Sequence, residues 1–265
     1  MHQAVERRKD QEKKFVDPKA RWKAGLAEQR RRRTRLTAIV LTPLALLAML
    51  GGAMMMGFRV GSPSALSDAL SAPETTEVVR LDSQDLEEFP VELASVTALK
   101  SLYLDDNDLS TLPSALGEMK GLQLLSLSYN KLTALPNEIG HLAALEELQL
   151  KANSLTELPS GLCELHKLKK LDLTGNRLTE LPADFGKLNS LRTLALRGNK
   201  ISKLPAGLSK LSLLEELDLS GNPIDQLPSP ESFPNLRKLN VKGTRVAPSQ
   251  IQTYKTSLAK VSVVK

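Results

Sequence analysis

The chain has 265 residues, of which 41% are hydrophobic and only 3% aromatic, with a formal net charge of +6. That length holds about one or two folded units, and a core so poor in aromatics must be aliphatic. One cysteine, Cys163, excludes an internal disulfide, and the histidines His2, His141 and His166 are too few and scattered to suggest a metal centre.

The average charge hides an asymmetry. Residues 1–35 carry thirteen Lys/Arg against five Asp/Glu, which leaves the remaining residues close to neutral. This segment reads as a basic tail, with Asp17-Pro18 as a helix start, Asp at the N-cap and Pro in the first turn.

From Leu36 to Phe58 the chain runs LTAIVLTPLALLAMLGGAMMMGF without a charge, framed by Arg30, Arg31, Arg32, Arg33 and Arg35 before and Arg59 after. A helix over 36–58 would reach roughly 34 Å at about 1.5 Å per residue, enough to cross a hydrocarbon core of about 30 Å. Pro43, Gly51 and Gly52 are residue types that membrane spans tolerate. The run is too long and begins too late for an ordinary cleaved secretory signal, although Ala69 and Ala72 leave late cleavage open, and a buried soluble helix is the other alternative. We expect an uncleaved signal anchor in the lipid bilayer, single-pass. Thirteen basic residues precede it and only Arg59 and Arg80 follow closely, so the N-terminus is expected in the cytoplasm and the rest outside it. That topology role accounts for the arginine run without nucleic-acid binding.

Residues 59–75 read as a flexible tether rich in Ser, Ala and Pro, with one or two helical turns between Ser64 and Ala72. From Thr76 the chain repeats itself every 23 residues, aligned on Leu99, Leu122, Leu145, Leu168, Leu191 and Leu214, each unit reading LxxLxLxxNxLxxLPxxLxxLxx. A weaker copy precedes these units, and a degenerate one with Leu236, Leu239, Val241, Thr244 and Val246 follows. The Leu-x-Leu element predicts a short strand that cannot bury its leucines alone, so the copies must stack and pair in parallel.

The columns Asn107, Asn130, Asn153, Asn176, Asn199, Asn222 and Pro90, Pro113, Pro136, Pro159, Pro182, Pro205, Pro228 read as architecture. An amide can donate to and accept from the backbone of adjacent turns, and proline removes an N–H that would lack a partner. Beyond the repeats, 247–265 reads as a C-terminal cap, with Ser249 as N-cap of a helix that places Ile251, Tyr254 and Leu258 on one face.

On these residues the chain resembles the leucine-rich repeat proteins, in the 23-residue class with Leu-Pro in mid-repeat that includes Ras-associated scaffolds, plant intracellular proteins and bacterial proteins. The match covers residues 76–246, about eight repeats. The resemblance implies an α/β solenoid, a horseshoe with a parallel concave β-sheet, preceded here by a single transmembrane helix.

No catalytic constellation is present: the sequence has no phosphate loop, GxSxG or HExxH, so no enzyme activity, cofactor or small-molecule substrate is expected. Cys163 reads as a free thiol, with pairing between molecules as the alternative. Function in a solenoid rests on the variable positions of its extended face. The central column is Arg80, Tyr103, Ser126, Gln149, Asp172, Ala195, Asp218 and Asn240. Two residues on come Asp82, Asp105, Ser128, Lys151, Thr174, Arg197, Ser220 and Lys242, running from acidic to basic. Tyr103, Leu124 and Tyr129, in a chain with three tyrosines, are the expected binding centre, since Tyr, Trp and Arg are enriched at interface hot spots. Asp105, Asp106 and Lys151 surround it, with Gln149, Asp172 and Arg197 further along the face. The alternative is that Leu124 and Tyr129 only pack on a neighbouring strand. The expected function is protein–protein interaction by a membrane-anchored scaffold, recognition or adhesion module. A cytoplasmic signalling scaffold like the Ras-associated proteins, or a regulatory partner of a separately encoded receptor or enzyme, is the alternative.

Overall fold

Each repeat contributes one three-residue strand, because only its central residue must turn inward and the chain leaves the sheet two residues later. A computed structural model describes residues 65–258 and 261–265. The basic tail and the apolar run 36–58 lie outside the described residues, among which no helix is long and apolar enough to cross a membrane.

The nine strands are β1 (Val78–Arg80), β2 (Ser101–Tyr103), β3 (Leu124–Ser126), β4 (Glu147–Gln149), β5 (Lys170–Asp172), β6 (Thr193–Ala195), β7 (Glu216–Asp218), β8 (Lys238–Asn240) and β9 (Ser262–Val264). They form one parallel sheet in sequence order. Register follows the repeat: Leu102 pairs with Leu125, Leu125 with Leu148, and Leu148 with Leu171. These central leucines are buried in a single aliphatic core together with the second leucine of each Leu-x-Leu and the leucines of the return segments. Phe185 and Phe233 take leucine positions and are fully buried.

The return segments are 3₁₀ turns, for example Ser114–Glu118, Asn137–His141 and Ser160–Glu164. Each of these three is N-capped by a column proline, whose carbonyl accepts from the N–H three residues on. Five residues are too few for a stable α-helix, and 3₁₀ geometry turns the chain in that length. The helical part of the expected α/β class is therefore 3₁₀ within the repeats. Among the described residues, α-helix occurs only at the two ends, as α1 (Ala65–Ser71) and α2 (Pro248–Ser257).

The asparagine column closes the turns. Asn153 Nδ2 donates to the carbonyls of Leu127 (2.9 Å) and Leu150 (3.1 Å), while its Oδ1 accepts from the Leu132 N–H (3.0 Å). Asn107, Asn130, Asn176, Asn199 and Asn222 repeat the pattern, each joining its own turn to that of the preceding repeat. All six are buried.

Within the tether segment, α1 packs on the first repeat: Ala69 is buried, Ala65 and Leu66 lie against the core, and the Pro73 carbonyl accepts from the Ala98 N–H at 3.1 Å. At the other end, α2 begins one residue earlier than its expected cap. Ala247 is the N-cap and Pro248 occupies the first turn, so Ser249 lies inside the helix and does not cap it. Pro248 has no N–H to satisfy and a backbone angle already suited to a helix. Ile251 and Tyr254 are buried as expected, and the Tyr254 hydroxyl donates to the Pro228 carbonyl at 2.7 Å. Strand β9 then adds a ninth rung beyond the expected repeats.

Candidate functional site

The first and third residues of each strand face away from the core, so the sheet presents columns of side chains at the spacing of parallel strands. Tyr103 ends β2, in register with Ser126 on β3, which is itself in register with Gln149 on β4. Leu124 begins β3, half-buried on the same face. The Arg80 guanidinium lies 3.7 Å from the centre of the Tyr103 ring, a cation–π contact from the neighbouring strand.

Tyr129 sits in the turn after β3. It is 51% exposed, and its φ of 58° places it in the left-handed region. The same position in other repeats is held by Ser83, Asp106 and Ala152 and then by Gly175, Gly198, Gly221 and Gly243, all with positive φ. Glycine adopts this conformation freely, whereas a side chain there costs about 1–2 kcal/mol. The Tyr129 N–H donates to the Lys151 carbonyl (2.7 Å), and Lys151 Nζ lies 5.2 Å from the ring centre. Hydrogen bonding to Tyr129 holds the Lys151 ammonium above its ordinary pKa.

The aspartates are tied into this arrangement. Asp105 accepts from the Ser126 hydroxyl (2.6 and 2.7 Å) and the Ser128 N–H (2.6 Å), and its own N–H donates to Asp82 Oδ1 (3.0 Å). Burial pushes the Asp82 carboxyl above the usual carboxylate range, against the lowering effect of the Asp105 N–H, and the charge of Asp105 adds to the rise. Asp106 accepts from the Ser83 hydroxyl at 2.9 Å. Gln149 Oε1 lies 3.1 Å from the Ser126 hydroxyl oxygen, whose single proton is directed at Asp105, and Gln149 donates to Glu147 (2.8 Å). The result is a hydrogen-bonded polar floor between the two tyrosines' strands.

Tyr103, Leu124, Asp105, Gln149, Tyr129 and Lys151 thus lie on β2 to β4 and their turns. Asp106 joins from the turn after β2. Asp172 belongs to the next strand, where it accepts from the Thr174 N–H at 2.8 Å. Arg197 follows β6, four rungs from β2 or about 19 Å at the usual strand spacing, and is not part of the cluster. The sequence reading left Arg80 and Ser126 out of the cluster, although both stood in its central column. The missing signal was height: a small serine beside two long side chains becomes the buried floor they share.

His141 and His166 are exposed on the return side. Cys163 is fully buried, and burial pushes its thiol up to about 11, so the alternative of pairing between molecules is closed by lack of access. Among the described residues no group of His, Cys, Asp and Glu is placed to hold a metal ion.

A family model described as Leucine rich repeat matches residues 97–155, 166–224 and 190–246, together more than half of the chain. No curated protein matches it. Among solved structures, a leucine-rich repeat protein of Leptospira interrogans is 28% identical with a TM-score of 0.64, covering 76% of this chain and 57% of its own. An internalin of Listeria monocytogenes shares the fold at 23% identity and TM-score 0.59, over 67% of this chain and 51% of its own. The plant peptide hormone receptor RGFR1, in complex with RGF2, is 28% identical with TM-score 0.55, over 66% of this chain and 33% of its own. The chain spans about half the length of the two bacterial structures. The pattern of strands, asparagines and 3₁₀ returns, together with the family match over most of the repeats, establishes that this chain belongs to the leucine-rich repeat family.

Proposed function

We propose that the protein is a membrane-anchored leucine-rich repeat module that binds a protein partner on the open face of its sheet, centred on Tyr103 and Tyr129. The observation that carries the reading is Tyr129 itself: a large, half-exposed aromatic side chain held at a left-handed position that four other repeats fill with glycine and three with the smaller Ser83, Asp106 and Ala152. Strain of this kind has no benefit for stability and is concentrated at functional sites. Tyr103 under Arg80, and Tyr129 beside Lys151, supply the amphipathic and cationic contact types that dominate interfaces. The similarity to a peptide hormone receptor in complex with RGF2 supports a protein or peptide partner.

The anchoring half of the proposal rests on the 23 uncharged residues from Leu36 to Phe58 and on the basic residues that precede them. The excess of basic residues before the run supports a cytoplasmic tail, with the repeats on the far side of the membrane. The expected role is scaffold, recognition or adhesion.

Chemical cross-linking on intact cells, followed by identification of proteins bound to the tagged chain, tests the binding face. The wild type should capture a partner that the double variant Tyr103→Ala/Tyr129→Ala loses. The single variant Tyr129→Gly should unfold no earlier than wild type while losing at least about tenfold in affinity, equivalent to about 1.4 kcal/mol. Unchanged capture by the double variant would refute the site.

A further inference from the structure

We propose that the repeat stack associates head to tail with a second copy of itself, the basic C-terminal end of one copy docking on the acidic N-terminal end of the next. The contact uses the two ends of the solenoid and is independent of the tyrosine cluster.

Charge is sorted along the stack far more sharply than the overall balance indicates. Residues 76–121 hold ten Asp/Glu against three Lys/Arg, whereas residues 236–265 hold seven Lys/Arg and no Asp or Glu. In the middle of the stack, charges are matched between adjacent repeats: Lys169 pairs with Glu146 (2.7 Å), Lys187 with Glu164 (3.1 Å) and Arg192 with Glu215 (2.6 Å). At the ends the same matching has no next repeat to draw on. Among the described residues, Glu87, Glu88 and Glu92 are exposed and form no ion pair, and neither do Arg237, Lys242 and Arg245. A second copy placed in line supplies the missing repeat with the complementary sign at both ends.

The sheet ends in the same direction, with α1 packed against β1 and α2 against β9 but, among the described residues, no further strand paired to either. Each of these outermost strands leaves a valine on the sheet face, Val78 at 52% and Val264 at 41% exposure. Both strands have three residues, so backbone pairing across the junction would be short and the charges must carry the contact. An exposed ion pair is worth about 0–1 kcal/mol, but opposed fields of many charges act together at low ionic strength and are screened within about 10 Å in 0.1 M salt. A head-to-tail contact leaves one free end of each sign on every assembly, so copies add in line until a ring closes, and the mean size grows with concentration.

The full-length chain in detergent, followed by sedimentation velocity, tests this. Wild type should sediment faster with rising concentration in low salt and revert to a monomer in high salt. The variant Arg237→Glu/Lys242→Glu/Arg245→Glu has two acidic ends, and Glu87→Lys/Glu88→Lys/Glu92→Lys makes the first end basic like the second. Each variant alone should lose association at least about tenfold. An equimolar mixture of the two should regain it, a rescue that misfolded variants could not produce. A wild type that stays monomeric in low salt, a variant that associates like wild type, or a mixture without association would overturn the proposal. So would a monomeric wild type that is retained on polyglutamate, which would assign the basic end to an acidic partner of another kind.

Discussion

A single asparagine in this fold does the work of three backbone hydrogen bonds. Asn153 joins the carbonyls of Leu127 and Leu150 to the N–H of Leu132, and alanine would leave that N–H buried without a partner, while the two carbonyls would keep only the amides of Asn130 and Asn176. Asn153→Ala should lower the unfolding free energy by about 1–3 kcal/mol, read from chemical denaturation of wild type and variant side by side. Cys163 gives a pH signature. Its thiol ionises near the ordinary 9.0 when the chain is unfolded and near about 11 when folded, chiefly because it is buried. The stability this residue contributes is therefore intact below pH 9 and is lost as pH rises towards 11. Between pH 8 and 11 the wild type should lose on the order of 2 kcal/mol more than Cys163→Ala does. The asparagine roles were legible in the sequence because their period and chemistry agree. The left-handed turn column was not, because Asp106, Tyr129 and Ala152 conceal a conformation that only the later glycines Gly175, Gly198 and Gly221 advertise.

The 3₁₀ turns are the element the sequence reading described least. Their leucines and prolines follow the period, yet the tight stacking of neighbouring turns depends on glycines that the pattern treats as variable. A Cβ on Gly161 would run into the Asn137 carbonyl, and one on Gly140 into the Gly161 carbonyl. The Gly161 N–H also donates to Asn137 Oδ1 at 2.8 Å. Gly161→Ala should cost about 1–3 kcal/mol of stability, the usual range for overpacking. Gly121→Ala, whose Cβ would meet nothing nearer than the Leu99 carbonyl at 3.7 Å, should be tolerated. Equal melting temperatures for the two variants would contradict this account of the stacking. Strand β9 escaped the sequence reading for a related reason. Its Val263 stands 24 residues after Leu239, where the preceding step from Leu217 is 22, and the segment lacks both the leucines and the asparagine that mark the other rungs.

At the scale of the molecule, the stack is one face on a parallel sheet, with α1 packed on the first repeat and α2 on the last turn and strand. The position of the face could be read from the alternation of leucines, and the tyrosine cluster from the repeat register together with the rarity of tyrosine. Which side chains would form the floor beneath it depended on relative side-chain length across three strands, which no single repeat reveals. Where the face is displayed is the part of the proposal that rests on the uncharged run 36–58. Protease treatment of intact cells carrying the full chain with a tag after Lys265 tests that most directly, with lysed cells as the control. The account predicts that the tag is digested in intact cells while the basic tail is protected. Protection of the tag in intact cells, with digestion only after lysis, would contradict it and place the repeats in the cytoplasm.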